Sequence, residues 1–137
     1  MSRLPFPDFS VRVVFLSTFL LAELLLPTGT WQLAYLAGFL AGILSSRIRR
    51  AVVVGAAGVL VAWAAYLVYV FAVGAGFGLA NVVGEILGAG PGSWWLLTVM
   101  TLLLGAILGA VGGITGCTAA RLLLWEPPAA VPEAPKS

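Results

Sequence analysis

Histidine is absent from this 137-residue chain, and cysteine occurs once, at Cys117. Haem sites and histidine-ligated zinc or copper sites depend on imidazole, so the first absence removes most transition-metal chemistry. A single cysteine leaves no intramolecular disulfide and no cysteine-rich metal site. With no histidine and no base near it in sequence, Cys117 reads as a small apolar filler rather than a nucleophile. Charge is scarce too: 9 % of the residues are Asp, Glu, Lys or Arg, against roughly a quarter in soluble globular domains. The seven basic residues are too scattered to form a phosphate-binding face, so the net charge of +2 implies no nucleic-acid partner. There is no Ser/His/Asp set and no carboxylate-rich metal motif, and the glycine runs at 74–78 and 109–113 lack the lysine of a phosphate loop. The expectation is a protein with no cofactor and no catalytic residues.

What remains is apolar. Hydrophobic residues make up 61 % of the chain and the mean hydropathy is +1.10, too few polar side chains to cover a surface that faces water. A bilayer core of about 30 Å needs roughly 20 apolar residues per helix. The expected architecture is therefore an all-α, integral membrane four-helix bundle over residues 1–125, with spans near 9–26, 31–46, 51–73 and 94–120. The N-terminal basic residues and apolar run also resemble a secretory signal, but Glu23 interrupts the run and no small-residue cleavage site follows, so the segment is read as a retained first span.

Asp8 and Ser10 can cap the first helix, and Pro27-Thr28-Gly29-Thr30 reads as a tight turn that sends the second helix back antiparallel. Arg47, Arg49 and Arg50 interrupt the apolar sequence and predict a water-exposed loop, since each guanidinium costs about 2.5–3.5 kcal/mol in hydrocarbon on insertion scales. From Arg50 to Glu85 a continuous helix would measure roughly 50 Å, too long for one crossing. The glycines at 74–78 are expected to break it and to introduce a short interfacial helix near 79–87. There Asn81 and Glu85 share one face and Leu79, Val82 and Ile86 another. Trp94 and Trp95 open the last helix where indoles suit the headgroup boundary. The tail at 126–137, with four prolines in twelve residues, is expected to be disordered.

Four crossings put Arg3, Arg12, Arg47, Arg49, Arg50, Arg121 and Lys136 on one side, which the positive-inside rule makes the cytoplasmic side of a cell membrane, with both termini there. Two stretches resemble each other. Glu23 precedes a Pro/Gly turn and Trp31, and Glu85 precedes Pro91-Gly92-Ser93-Trp94, which reads as two tandem hairpins related by a pseudo-twofold axis along the membrane normal.

Small residues recur at every fourth position. Gly105, Gly109 and Gly113 form one stripe of the last helix, with Gly112, Gly116 and Ala120 on a neighbouring one. Ala34, Gly38, Gly42 and Ser46 repeat the step in the second helix. Such stripes let backbones approach closely in lipid, either within one bundle or between copies. Among polar residues, Glu23 and Glu85 sit near the outer boundary and are candidates for contacts with a proton, ion or substrate. Tyr66, Tyr69 and Asn81 can line a polar path or simply pack between helices.

Leu21-Ala22-Glu23 in the first span of a small four-helix protein resembles the start of the small multidrug resistance exporters, whose first-helix glutamate handles protons and cationic drugs. That glutamate lies mid-membrane, whereas Glu23 lies near the boundary, and the other helices match none of the family's motifs, so its role is not carried over. Residues 38–50 and 105–121 are similar to small glycine-rich four-span membrane proteins of unknown function, a resemblance that implies the fold and no activity. The functional expectation is a non-catalytic membrane component that packs in the lipid bilayer against itself or a larger membrane complex. The alternative is a small oligomeric transporter or channel using Glu23 and Glu85.

Overall fold

The computed structural model describes residues 9–26, 29, 31–74 and 76–123, with Trp31 described by its backbone alone. The expected tail at 126–137, Arg3, Lys136, Asp8 and most of the Pro27–Thr30 turn lie outside these residues. Among the described residues the fold is all-α, with five α-helices and no strand: α1 (Val11–Leu25), α2 (Ala34–Ile43), α3 (Ile48–Ala72), α4 (Gly76–Ile86) and α5 (Trp94–Leu123). A 3-10 turn, Trp31–Leu33, leads into α2. Two helices, α3 and α5, are long and apolar enough to cross a membrane. At 1.5 Å per residue α1 and α2 measure only about 22 and 15 Å, short of the roughly 30 Å of a bilayer core.

The helices differ from the expected spans for local reasons. Ser10 caps α1, its hydroxyl accepting from the Val13 amide. The second helix, expected to reach residue 46, stops at Ile43; its last carbonyls, Leu40 and Gly42, accept from the Leu44 and Ser45 amides, and the carbonyls just beyond it are met by α5. The Cys117 thiol donates to the Ser45 carbonyl at 3.6 Å and the Arg121 guanidinium donates to the Ser46 carbonyl at 3.4 Å. Irregular backbone between apolar helices is tolerated when it is buried against protein and its backbone groups are met; Ser45 is buried with its carbonyl satisfied, while its hydroxyl has no partner. The arginine loop is shorter than expected because α3 begins at Ile48, drawing Arg49 and Arg50 into its first turn. The Arg50 guanidinium reaches the Phe9 carbonyl at the start of α1. Glycine ends α3 as anticipated, at Gly74 with φ +90°, and α4 starts at Gly76. A cluster of rings then holds α4 in place: Phe71 stacks on Phe77 at 4.4 Å, and Trp94 meets both edge-on at 5.9 and 5.2 Å.

Contacts along the helices fix their directions. Phe9 meets Arg50 at one end of α1 and α3, and Thr18 faces Gly58 further along, so these two run parallel. Gly38 faces Gly109, Gly42 faces Gly116, and Ser45 faces Cys117, so α2 and α5 are also parallel. Gly55 faces Gly109 and Trp63 faces Gly105, which makes α3 and α5 antiparallel. The long α5 thus lies between α2 and α3, its most extensive neighbours, and α1 packs on α3.

These approaches are backbone on backbone. A Cβ at Gly38 would lie 2.9 Å from the Gly109 Cα, one at Gly42 would lie 2.6 Å from the Cys117 nitrogen, and one at Gly113 would lie 2.9 Å from the Ala51 carbonyl carbon. Gly116 lies equally close to Phe39, and Gly105 supports the Trp63 ring. The packed interior is accordingly built from small residues: Ala22, Ala34, Ala37, Ala41, Ala51, Ala62, Ala120 and the glycines are buried. Large aliphatic side chains point outward instead, among them Leu20 (63 % exposed), Leu24 (74 %), Val68 (67 %) and Leu103 (55 %).

Candidate functional site

Charge separates along the bundle axis. Arg12, Arg47, Arg49, Arg50 and Arg121 lie at the end where α1 and α3 begin and α2 and α5 finish. The two acids among the described residues, Glu23 near the end of α1 and Glu85 on α4, lie at the opposite end. Parallel packing in the register that sets Thr18 against Gly58 carries Glu23, near the end of α1, to the second half of α3.

Between these helices is an open cleft of about 520 Å³ lined by Glu23, Ala65, Tyr66 and Tyr69. The two tyrosines are one helical turn apart, with ring centroids separated by 6.4 Å. One carboxylate oxygen of Glu23, Oε1, is buried and has no hydrogen-bond partner. Tyr66 also borders a second cleft of about 220 Å³, lined further by Leu26, Gly29, Trp63, Leu67 and Thr101. Trp63 is nearly fully buried, and its indole Nε1 likewise lacks a partner. Buried polar atoms are ordinarily satisfied; two more without a partner, Ser45 Oγ and Arg50 Nε, lie at the opposite end, so the orphans alone do not single out this end.

No protein-family model matches the chain, nor does any curated protein or solved structure. The site is therefore read from its own geometry.

Glu23, Tyr66 and Tyr69 converge, while the other two candidate contacts do not join them. Glu85 is exposed on α4 and borders neither cleft. Asn81 instead holds the start of α5, where its Oδ1 accepts from the Trp94 amide at 3.3 Å and so occupies one of the free N–H groups there. The glycines Gly38, Gly42, Gly105, Gly109, Gly113 and Gly116 are all buried within the chain.

Sequence reasoning missed Gly55 and Gly58 on α3. Gly55 faces Gly109, and a Cβ at Gly58 would meet the Thr18 Cγ2 at 2.8 Å. The signal was present in Ala51, Gly55, Gly58 and Ala62, which follow the i, i+4, i+7, i+11 spacing of one helix face. Trp63 is equally silent in sequence, since a tryptophan in an apolar helix announces nothing until its indole is seen to lack an acceptor.

Proposed function

We propose that this chain is a multi-pass membrane protein that crosses the bilayer four times, with both termini cytoplasmic, and serves without catalysis as a subunit of a membrane assembly. The observation that carries the reading is the inverted distribution of side chains: small residues inside, large aliphatic ones outside. A protein dissolved in water gains stability by burying leucine and valine; in lipid that gain between helices vanishes, and close packing of small residues replaces it. The separation of arginines from acids along the axis supports the orientation. The shortness of α2 is compatible with a crossing because its 3-10 turn precedes it and the buried link at Ser45 and Ser46 extends it, with carbonyls capped by α5. The two hairpins, α1 with α2 and α3 with α5, form a tandem pair with the interfacial α4 between the last two spans.

The subunit role also draws on the exterior. Because the glycine stripes are consumed inside the bundle, partners meet its aliphatic faces, including Leu79, Val82 and Ile86 on α4. A second reading, a small oligomeric transporter, is favoured by the Glu23 cleft. Two measurements test the proposal. For orientation, cysteines introduced as Ala89→Cys and Arg49→Cys are treated with a membrane-impermeant maleimide in intact cells. Labelling of Ala89→Cys alone is expected, and labelling of both from outside refutes the topology. For the role, native mass spectrometry of the complex extracted from its source membrane is expected to show larger co-purifying proteins, and a clean homo-oligomer would shift the reading to transport.

A further inference from the structure

We infer that the arginine-bearing end of the bundle binds the phosphate headgroup of an anionic phospholipid. Arg12, Arg47, Arg49, Arg50 and Arg121 are scattered in sequence, but the fold gathers them around the link between α2 and α3. Arg121, near the end of α5, donates to the Ser46 carbonyl and so lies beside Arg47. Arg50, in the first turn of α3, donates to the Phe9 carbonyl and so lies close to the first turn of α1, which carries Arg12. Four of the five side chains are exposed, and Arg50, partly buried, keeps an Nε with no partner. No described acid lies at this end. With four crossings, Arg3, Lys136, Asp8, Glu126 and Glu133 fall on the same side, and basic residues still outnumber acids there by seven to three. A guanidinium does not lose its proton in proteins, so this surplus is met by anions from outside.

The surroundings select a lipid among anions. Aliphatic side chains interleave with the arginines: Arg12 sits between Val11 and Val13, Ile48 between Arg47 and Arg49, and Leu122 and Leu123 follow Arg121, all of these aliphatic residues being exposed. A free phosphate would leave them in water. A phospholipid covers them with its acyl chains while its headgroup meets the guanidinium groups, which pair with phosphate through two parallel N–H bonds. Clusters of about four to eight basic residues where membrane helices reach water are the recognised pattern of anionic-lipid sites. In addition, α3 opens at Arg47 without a side-chain cap, so its first amides and the positive end of its dipole strengthen the pull on an anion.

The inference rests on the membrane reading above but not on which side of the membrane the arginines face, so it survives inverted maleimide labelling. Its test is native mass spectrometry of the full chain in a mild uncharged detergent, equilibrated with phosphatidylglycerol or with phosphatidylcholine of identical acyl chains. Phosphatidylglycerol is expected to bind about tenfold more tightly or better. Each basic residue near an anionic surface strengthens attachment about fivefold. Arg47→Gln combined with Arg49→Gln, both at exposed side chains, is therefore expected to weaken phosphatidylglycerol about fivefold or more and phosphatidylcholine less than about twofold. Glu85→Gln, at the opposite end, should leave both unchanged. Equal retention of the two lipids by the unaltered protein, or retention of neither, would overturn the assignment whether or not the variants fold. Displacement of phosphatidylglycerol by millimolar inorganic phosphate would overturn it too, by assigning the arginines to a free anion. A chain that stays monodisperse in buffer without detergent would sink the membrane reading and this inference together, whereas absence of lipid preference in a protein that needs detergent would sink this inference alone.

Discussion

Placing one methyl group at Gly38 is expected to destabilise the protein, whereas the same methyl at Gly78 is expected to stabilise it. Both glycines are helical, Gly38 in α2 and Gly78 in α4. In a helix, alanine is favoured over glycine by about 0.5–1 kcal/mol through the unfolded chain's lost freedom. At Gly78 nothing lies within 4 Å of the new atom, so that gain stands alone. At Gly38 the methyl would lie 2.9 Å from the Gly109 Cα and closer still to its carbonyl oxygen. Ordinary carbon contacts need about 3.5–4 Å, so α2 and α5 must separate by roughly 1 Å. Neither obstacle is a flexible side chain, so relief requires moving a helix. Overpacking of this kind costs about 1–3 kcal/mol, and subtracting the propensity gain leaves Gly38→Ala less stable by about 0–2.5 kcal/mol, and less stable than Gly78→Ala by the full overpacking cost. Reversible unfolding followed by helical circular dichroism in mixed micelles would measure both variants. A Gly38→Ala protein as stable as Gly78→Ala would refute the close approach of α2 to α5.

Other consequences concern single polar contacts. Asn81→Ala should free the Trp94 amide and cost about 1 kcal/mol, seen as faster hydrogen exchange in the first turn of α5, whereas Asn81→Asp keeps the acceptor and its protection. Tyr35 and Thr115 share a hydrogen bond of 2.6 Å between α2 and α5. A double-mutant cycle with Tyr35→Phe and Thr115→Val is expected to give a coupling of about 0.6 kcal/mol, as for polar pairs between membrane helices. A coupling near zero would remove that contact. Cys117 is fully buried against Gly42, so even a small membrane-permeant maleimide should leave it unmodified until the protein unfolds, and rapid labelling of the native state would place α5 wrongly.

Much of the helical layout is legible in the sequence because glycine, proline and charge punctuate an otherwise apolar chain. The turn at Gly74 and the start of α5 at Trp94 follow from them directly, and Ser10 announces the start of α1. The end of α2 is not legible. Nothing local separates Ile43 from Leu44, and the residues that meet the carbonyls beyond the helix, Cys117 and Arg121, lie more than seventy positions away. Arginines suggest a loop because hydrocarbon rejects them, but a helix can begin among them when Arg50 finds an acceptor at Phe9. The faces of α3 and α5 are hard to assign since apolar residues surround both helices and no polar stripe marks the outside. At the candidate site, Glu23 and the two tyrosines can each be singled out in sequence. That they share a cleft follows from the parallel packing of α1 on α3, a register set by Thr18 against Gly58 that no local pattern encodes.

The most direct test of the central claim asks what touches the outside of the bundle. Spin labels attached at Leu20→Cys, Val68→Cys and Leu103→Cys, with Ala89→Cys as a loop reference, would be measured in vesicles for collisions with oxygen and with a water-soluble nickel chelate. All three parent leucine and valine side chains are more than half exposed. If lipid covers them, oxygen should collide often and nickel seldom at these positions, with the reverse at Ala89→Cys. Frequent nickel collisions at Leu20→Cys, Val68→Cys and Leu103→Cys would mean that water reaches the aliphatic exterior, and the reading of this chain as a membrane-embedded bundle would be wrong.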